Sequence, residues 1–395
     1  MSLHHQPSSK PSGEPRAAGF GRVVLVGAGL QNSLIALALL DRDPDAEIVL
    51  LEKEPSSARN HTWSCHASDI PADVWNWFEP LVCARWPAYD VRFASYSRRI
   101  EGEYLALSSA RVEAVLSERL AHAPNARLIT NAPVADVGAN SVTLEDGTRI
   151  DADLVVDSRG PERAAMAVLG YQKFVGLELE LSGGTAPVLP TLMDATVAQR
   201  DGYRFLYVLP LGPHRILYED TYYSETPDLD EAEITAGLLK MAAIAGLKVK
   251  QVLRRERGVL PLPSRPPKLT RPVSPLLGGY AGGLFHPTTG YSLPVALRLS
   301  RALVRCDGDA TELERTLAHV ARQQRFACWL NRLLFRAFAP RDRHRVLERF
   351  YRLPEGTIAR FYALESTSLD RARIICGKPP KGFSATGLWQ VRSAA

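Results

Sequence analysis

Arg22-Val-Val-Leu-Val-Gly-Ala-Gly29 is the stretch that decides the fold of this chain. Its four consecutive apolar residues, three of them valines, are typical of a strand buried on both faces of a parallel sheet. Two glycines follow, and residues 30–40 form an apolar run of helical composition. A strand, a glycine turn and a helix in this order let the backbone approach a pyrophosphate, whose charge rests on the helix N-terminus.

The residues expected to bind a nucleotide in this unit are Val26, Gly27, Gly29, Leu30 and Glu52. Glu52 follows a second apolar strand, residues 47–51, at about the spacing where a carboxylate binds ribose hydroxyls. Asn32 occupies the third glycine position of the motif, where it permits a tight turn but crowds the helix against the strand. The alternative interpretation is an ordinary βαβ unit without a cofactor, because a bare Gly-x-Gly is weak evidence.

Length and composition indicate a globular protein with ample core. The chain has 395 residues, enough for about two or three domains, and a net charge of only +5, which argues against nucleic-acid binding by bulk charge. Its five cysteines are scattered without a CxxC pair, as expected in a reducing compartment without disulfides or structural zinc. Residues 1–19 are typical of a disordered tail rather than a signal peptide, and no apolar run is long enough to span a membrane.

The segment up to residue 170 continues the nucleotide-binding pattern. Residues 86–93 and 98–104 are predicted to pair as strands, and residues 108–120 to form a helix capped by Ser108 or Ser109. Arg111 lies in the first turn of that helix, where it is expected near the pyrophosphate. The apolar segment 153–157 is followed by Ser158-Arg159-Gly160 and is predicted to return to the sheet of the first strand.

Residues 171–268 have a different character and are assigned to a substrate domain. Strands are predicted at 174–181, 190–197, 204–209 and 216–223, with a hairpin turn at 211–214 and a helix at 230–246. The sequence therefore predicts an α/β protein with a mainly antiparallel sheet inserted between two parts of the nucleotide-binding domain, residues 20–170 and 269–310.

A second glycine-rich loop, residues 276–292, leads into a predicted helix at 293–306. Its backbone N–H groups at the helix entry are suited to negative charge. Residues 311–395 are predicted to be helical, and they carry nine more basic than acidic residues. An apolar stripe is expected on one side of a helix in this segment, with arginines 325, 332 and 336 opposite, so that the helix contacts either an anionic membrane surface or the rest of the protein. The stripe consists of Phe326, Trp329, Leu330, Leu333 and Ala337.

Several motifs together resemble one family, the bacterial lycopene β-cyclases, which are flavoproteins of carotenoid synthesis. The most specific is the run Phe285-His-Pro-Thr-Thr-Gly-Tyr-Ser292. The others are VGAGL at 26–30, NHTW at 60–63, MDATV at 193–197, GYRF at 202–205, EDT at 219–221, and RFY at 349–351 and 360–362. The similarity covers about residues 23–380 and excludes the N-terminal tail.

The resemblance implies an FAD-binding fold like that of flavin monooxygenases and geranylgeranyl reductases. It implies redox-neutral cyclisation of the ψ-ends of lycopene to γ-carotene and then β-carotene, with reduced FAD and NAD(P)H or another donor that keeps the flavin reduced. It also implies a cytoplasmic protein on the inner face of the cell membrane, acting on lycopene and other acyclic carotenoids. Further cofactor-binding residues are then expected in the second loop, namely Gly282, Pro287, Thr288, Thr289, Gly290, Tyr291 and Ser292.

Two positions depart from related patterns. Ala58, Arg59 and Asn60 precede His-Thr-Trp, where the family commonly has glycine or another small residue. Flavoproteins of the wider class carry Gly-Asp in the second loop, where the aspartate meets the ribitol, whereas this chain has Gly279-Tyr280.

Cyclisation of a hydrocarbon needs an acid in a dry pocket. Glu219 is predicted to supply the proton, and donation by the reduced flavin is the alternative that the sequence leaves open. On the predicted strand, Leu217, Glu219 and Thr221 face one way and Asp220 the other. Apolar neighbours would raise the pKa of the Glu219 carboxyl by desolvation. Asp220 and Asp194 are further candidate carboxylates, each with a structural role as the alternative. No metal is expected, since His61 and His66 are poorly spaced for one.

Two other functions remain open from the sequence. A flavin-dependent isoprenoid reductase or monooxygenase would share the nucleotide-binding pattern, and a non-catalytic carotenoid carrier would share the apolar surfaces. The two glycine loops together with Glu219 favour the cyclase.

Overall fold

The computed structural model describes residues 21–57, 60–160, 166–183, 186–306 and 310–386. The expected disordered tail, residues 1–19, and the end of the expected helical region, residues 387–395, lie outside these ranges. Strands are numbered β1–β16 and helices α1–α9 in chain order.

A five-stranded parallel sheet forms around β1, in the order β16-β10-β1-β2-β6. Its strands are β1 (Val23–Val26), β2 (Ile48–Leu51), β6 (Ala126–Ile129), β10 (Leu154–Asp157) and β16 (Leu276–Leu277). All four residues of β1 are buried, as expected of a strand covered on both faces. The predicted return of the chain is confirmed, because Leu25 lies beside Val156 of β10.

Three helices pack together beside this sheet, and their apolar residues form its largest core cluster. They are α1 (Leu30–Arg42), α3 (Ser109–Ala121) and α5 (Leu293–Arg305). The predicted cap of α3 is confirmed, since the Ser108 hydroxyl accepts the backbone N–H of Arg111 at 3.2 Å. A small antiparallel sheet packs against the parallel sheet through a second apolar cluster. It consists of β7 (Val134–Val137), β8 (Ser141–Leu144) and β9 (Arg149–Asp151).

An eight-stranded sheet forms the second layer, in the order β15-β11-β14-β13-β12-β4-β5-β3. Its strands are β3 (Thr62–His66), β4 (Ala84–Phe93), β5 (Tyr96–Ser108), β11 (Val168–Gly183), β12 (Thr191–Asp194), β13 (Tyr203–Gly212), β14 (Arg215–Ser224) and β15 (Lys248–Pro263). Neighbours pair antiparallel except β12 and β4, which are parallel. The predicted hairpin between β13 and β14 is confirmed.

The membership of this sheet differs from the expected division of the chain at residue 170. Strands β3, β4 and β5 lie within the segment assigned to nucleotide binding, yet they extend the substrate sheet. The predicted pairing of β4 with β5 is correct, but only the parallel contact of β4 with β12 reveals which sheet they join. One face of the sheet packs against α4 (Glu231–Ile244) through a separate apolar cluster.

The C-terminal part is helical, as predicted, with α6 (Thr311–Ala337), α7 (His344–Phe350), α8 (Glu355–Tyr362) and α9 (Ser368–Ile375), while the short α2 (Trp75–Phe78) precedes β4. The predicted apolar stripe is not the fully buried face of α6. Four of its members, Phe326, Trp329, Leu330 and Leu333, are only half-buried, and of the stripe only Ala337 is fully covered. Within the described ranges, no helix is long and apolar enough to cross a membrane.

Candidate active site

The turn between β1 and α1 leaves room for a ligand. Gly27 has a φ of +87°, a conformation that favours glycine, and its amide donates to the Leu51 carbonyl at 2.7 Å. A Cβ built on Gly29 would meet no atom of the described residues within 4 Å. In the same part of the structure, no side chain caps the N-terminus of α1, which begins at Leu30. Val26 ends β1 directly before the turn. The open space at Gly29, the glycine backbone and the uncapped N–H groups of α1 together fit a pyrophosphate.

Asn32 replaces the third glycine with a set of hydrogen bonds. Its side chain is fully buried, and its amide nitrogen donates to the carbonyls of Val26 at 3.0 Å and Gly27 at 2.8 Å. The Ser158 hydroxyl, just after β10, donates to the Asn32 amide oxygen at 2.8 Å. The expected crowding is therefore resolved by a side chain that fastens the glycine turn to two strands.

Glu52 lies at the end of β2 with 1% of its surface exposed. One carboxylate oxygen accepts the Ala28 amide of the glycine turn at 3.1 Å, and the other accepts the Glu54 amide at 3.2 Å. Arg111 is exposed in the first turn of α3, and its Nε donates to the Pro80 carbonyl at 2.6 Å. The ribose contact of Glu52 and the pyrophosphate contact of Arg111 stay predictions.

Tyr280 stands where related flavoproteins carry aspartate, and it supports the second glycine-rich loop from within. Its ring stacks on Phe285, with centroids 4.3 Å apart, and its hydroxyl donates to the Gly290 carbonyl at 2.6 Å. Gly282 allows the chain to fold back here, because a Cβ at this position would lie 2.0 Å from the Leu277 carbonyl oxygen. The departure at this position therefore supplies a structural contact across the loop.

His286 shapes the turn over residues 287–292. Its Nδ1 accepts the amides of Thr288 at 3.0 Å and Thr289 at 3.3 Å, so the proton lies on Nε2, which donates to the Phe361 carbonyl at 2.9 Å. Burial lowers the pKa of His286 to about 3, which keeps the ring neutral. The sequence motif contains this histidine, but its role as the centre of the turn becomes visible only in the hydrogen bonds.

The rest of this turn connects two helices. The Thr288 hydroxyl donates to the Ala327 carbonyl of α6 at 3.1 Å. Gly290 has a φ of +70°, and a Cβ there would lie 2.7 Å from Leu260 of β15. Pro287 precedes this contact, and Ser292 precedes α5, whose first turn has no side-chain cap among the described residues. The candidate cofactor residues of both glycine loops thus surround the N-termini of α1 and α5, although their contact with a flavin stays a prediction.

Glu219 is buried in the middle of β14 and faces away from α4. The predicted alternation is confirmed, since Leu217 joins the apolar cluster of the C-terminal helices while Tyr218 joins the cluster of α4. The Thr221 hydroxyl donates to a carboxyl oxygen of Glu219 at 2.6 Å. Burial, followed by repulsion from the Glu256 carboxylate, raises the pKa of Glu219 to about 8. The side chain is therefore mainly protonated at neutral pH.

A network of buried hydroxyls connects the Glu219 side of the sheet to the second glycine-rich loop. Tyr207 of β13 lies directly opposite Glu219 in the strand register. Its hydroxyl is 2.6 Å from the Ser64 hydroxyl of β3, which accepts from Tyr104 at 3.0 Å. Tyr104 in turn hydrogen-bonds the hydroxyl of Tyr291. The candidate acid and the turn over residues 287–292 therefore belong to one buried region.

Glu256 and its partners are site residues that the sequence did not single out. Glu256 lies on β15, and one of its carboxylate oxygens accepts from Arg254 at 2.8 Å and from the Thr62 hydroxyl at 3.1 Å. In sequence Glu256 stands among three arginines, a pattern typical of a solvated strand, and Thr62 is far away in the chain. The only available signal was the placement of Thr62 within the NHTW motif.

Asp220 and Asp194 do not join this cluster. Asp220 is fully buried on the α4 side and accepts hydrogen bonds from two nitrogens of Arg204, the shortest at 2.8 Å from Nε and 2.6 Å from Nη2, and one from the Tyr222 hydroxyl at 2.9 Å. Asp194 accepts the amide and hydroxyl of Thr196 at 3.1 and 2.5 Å, which closes the turn after β12. The catalytic roles of both stay predictions, and the geometry gives each a structural task. In the described parts of the chain, no group of three or more His, Cys, Asp or Glu residues could hold a metal ion.

Comparison of the fold with solved structures identifies its architecture. The chain is similar to a probable FAD-dependent monooxygenase, PqsL from Pseudomonas aeruginosa, with a TM-score of 0.58 and 16% identity over 82% of this chain and 97% of that one. It is also similar to a geranylgeranyl bacteriochlorophyll reductase-like protein from Thermoplasma acidophilum, with a TM-score of 0.60 and 12% identity over 94% and 99% of the two chains. The expected fold class is confirmed.

Comparison of the sequence gives much closer relatives. Two are named lycopene beta-cyclase: one from Pantoea ananas, 41% identical over 91% of this chain and 94% of the relative, and one from Paracoccus sp., 40% identical over the same shares. A family model described as lycopene cyclase protein matches residues 22–387. With nearly the whole chain matched by that model, the protein belongs to the lycopene cyclase family.

Proposed function

We propose that this protein is a lycopene β-cyclase, which converts the ψ-ends of lycopene to β-rings and yields γ-carotene and then β-carotene. The observation that carries the proposal is Glu219, a buried carboxyl on the cofactor-loop side of the substrate sheet whose pKa is raised to about 8. Lycopene has no heteroatom to bind, so its cyclisation depends on an acid of this kind in a water-poor pocket.

The proposed reaction begins when the Glu219 carboxyl transfers its proton to C2 of the terminal C1=C2 bond. The electron pair of C5=C6 then attacks the cation at C1 and closes the ring. Loss of the C6 proton to the Glu219 carboxylate forms the C5=C6 bond of the β-ring and restores the acid. One proton is gained and one lost, and no electron is transferred, so the step is redox-neutral. Because the acid must be protonated, the rate is expected to fall as the pH rises through the pKa of Glu219, about 8.

FAD is the proposed cofactor, and its reduced form would supply an electron-rich ring that stabilises the positive charge of the transition state. The residues proposed to hold it are the turn from Val26 to Leu30, Glu52, Arg111, Gly282 and residues 287–292. The open space at Gly29 and the uncapped N-termini of α1 and α5, the helices that follow the two loops, support this assignment. NAD(P)H is proposed as the reductant that keeps the flavin reduced, without being consumed in each turnover.

Buried phenol groups near Glu219 are proposed to complete the pocket. Tyr207, Tyr104 and Tyr291 are held by their mutual hydrogen bonds and by Ser64. Burial raises the pKa of Tyr291 to about 12, so its hydroxyl stays neutral and does not introduce a competing charge. The faces of such rings stabilise a nearby cation.

The lycopene substrate dissolves in membranes, so we propose that the protein acts from the cytoplasm on the inner face of the cell membrane. The half-buried apolar side chains of α6 and the basic C-terminal region support contact with an anionic bilayer.

The decisive experiment compares pigments in lycopene-producing cells that express the wild-type protein or Glu219→Gln. We expect β-carotene with the wild type and unchanged lycopene with the variant. With purified protein, lycopene should be converted anaerobically with dithionite-reduced FAD. Consumption of one NADPH per turnover would instead indicate an isoprenoid reductase, a requirement for oxygen would indicate a monooxygenase, and tight binding without turnover would indicate a carrier.

A further inference from the structure

Three neighbouring strands place two carboxyl groups side by side across a glycine. In the strand register, Gly176 of β11 lies opposite Glu219 of β14 on one side and opposite Glu256 of β15 on the other. Residues that are directly opposite in a sheet point to the same face, so both carboxyl groups share the face that Gly176 leaves without a side chain. A Cβ built on Gly176 would lie 3.2 Å from Glu256 Oε1 and 3.4 Å from Glu219 Oε2. Both oxygens are therefore adjacent to one point.

The two carboxyl groups have unequal partners. Arg254 Nη1 and the Thr62 hydroxyl both donate to Glu256 Oε2. Arg254 is itself fixed by Glu178 of β11, to which its Nε donates at 2.8 Å. Glu219 accepts from the Thr221 hydroxyl, a neutral donor. Two neighbouring buried carboxyl groups cannot both ionise easily. The proton therefore stays on Glu219, which has the neutral donor, and the negative charge stays on Glu256, which Arg254 stabilises.

The other groups around Glu219 have smaller effects on its pKa than burial and Glu256 have, or are neutral. Burial raises the pKa of both Glu219 and Glu256. Arg254 and Thr62 oppose this rise strongly at Glu256, whereas the opposing effect of Arg254 at Glu219 is small. Asp220, on the opposite face of β14, adds a small repulsion at Glu219, and Arg254 a small attraction. Tyr207 of β13 lies opposite Glu219 in the strand register, and its hydroxyl network continues through Tyr104 to Tyr291. All three phenols have raised pKa values and carry no charge at neutral pH.

We propose that Glu256 is a fixed anion that keeps the proton on Glu219, so that the two side chains work as an unequal pair in which only Glu219 donates. Glu256 is thus a positioning residue for a proton rather than a group that touches the substrate. The inference rests on the proposed role of Glu219 as the acid of cyclisation.

The test is the pH dependence of cyclisation in Glu256→Gln, measured with the flavin-loaded protein and lycopene in vesicles. Removal of the anion should let Glu219 lose its proton more easily, so the alkaline limb of the rate profile should move to lower pH by about one unit. The rate should return toward the wild-type value as the pH is lowered. Arg254 keeps Glu178 as a partner in this variant, so no buried cation is left alone.

Two variants control for charge and for structure. Glu256→Asp retains the anion and should leave the limb near its wild-type position. Glu178→Gln also removes a buried carboxylate that binds Arg254, but Glu178 lies opposite Leu217 rather than Glu219 in the strand register, so its limb should move much less. An unchanged limb in Glu256→Gln, or an equal displacement in Glu178→Gln, would overturn the proposal.

An infrared titration gives a readout that does not require turnover. At neutral pH, the carbonyl band of a protonated carboxyl should be present in the wild type and absent in Glu219→Gln. A protonated band that persists in Glu219→Gln and disappears only in Glu256→Gln would place the proton on the wrong partner and refute the pair as described. If the band behaves as expected but Glu219→Gln still cyclises lycopene, the proposed acid is wrong while the assignment of the proton stands.

Discussion

Glu219 and Asp220 are consecutive residues of one strand, and the two faces of that strand give them opposite tasks. Glu219 faces phenols, a glycine and a second carboxylate, and its pKa is raised to about 8. Asp220 faces α4, where Arg204 binds it through two nitrogens and Tyr222 donates a third hydrogen bond. The comparison teaches that residue type decides little here. A buried carboxyl without a cationic partner can hold a transferable proton, whereas one that an arginine neutralises can only hold structure.

The strongest way to break the comparison is Glu219→Gln. The amide keeps the size of the side chain and can still accept from Thr221, but it has no acidic proton. We expect the rate of cyclisation to fall by about 10³-fold or more, as removal of a general acid does. Pigment analysis after single-turnover reactions measures the rate, and the flavin absorbance of the purified variant checks that the cofactor is retained. Activity close to the wild type would transfer the role of acid to the flavin.

Asp220→Asn tests the other face and should affect stability rather than chemistry. Without the carboxylate, the buried guanidinium of Arg204 loses its ion pair with Asp220, and the free energy of unfolding should fall by about 3 kcal/mol. Denaturant unfolding measures this change. Asp90→Asn, which breaks the exposed pair with Arg99, should cost about 1 kcal/mol or less.

One outcome of that experiment would give Asp220 the catalytic role and contradict its structural role. If Asp220→Asn unfolds at the wild-type denaturant concentration but loses cyclisation as completely as Glu219→Gln, Asp220 takes part in the reaction. We expect the reverse, namely a less stable protein whose folded fraction retains the wild-type rate.

Local pattern predicted much of this arrangement and failed where distant strands meet. The turn at Gly27, the cap at Ser108 and the facing of Glu219 all depend on neighbours within a few residues, and all three are confirmed. Glu256 could not be found in this way. Its strand, β15, alternates charged residues as an exposed strand does, and its partners come from β3 and β11.

The same reason explains why the sequence did not reveal that β3, β4 and β5 belong to the eight-stranded sheet. Among the described residues, strand β3 pairs only with β5 at one edge of the sheet, yet the Thr62 hydroxyl donates to Glu256 of β15 at the other edge. The sheet must therefore curve so that its first and last strands approach each other over the Glu219 face. Such curvature follows from the twist accumulated over eight strands, which no short stretch of sequence encodes.

Tyr291→Phe tests how the chemistry on the Glu219 face depends on the cofactor loop. Loss of one hydroxyl leaves Tyr104 without its partner on the loop, and a missing buried hydrogen bond should lower the rate of cyclisation by about tenfold. Tyr351→Phe is the matched control, because its hydroxyl also bonds a buried tyrosine, Tyr362, at 2.6 Å but takes no part in the Glu219 network. Equal losses in both variants would show that packing alone is being measured.

The smallest expected effect concerns the outer surface of α6, where the comparison of two faces is repeated on a helix. One face buries polar side chains such as Gln324 and Asn331, which donate to carbonyls of the second glycine-rich loop and its turn. On the other face, Phe326 and Trp329 are half-buried and stack on each other beside the exposed Arg325. If this second face contacts lipid, Trp329→Ala should weaken binding to vesicles with anionic lipid by a few-fold, and added salt should weaken it further. Vesicle flotation measures the bound fraction.

Ile244→Ala removes an apolar side chain that is 76% exposed on α4 and should leave binding unchanged. Equal binding to neutral and anionic vesicles would remove the electrostatic part of the contact, and an equal loss in both variants would show that exposed apolar area, rather than its place on α6, determines the association.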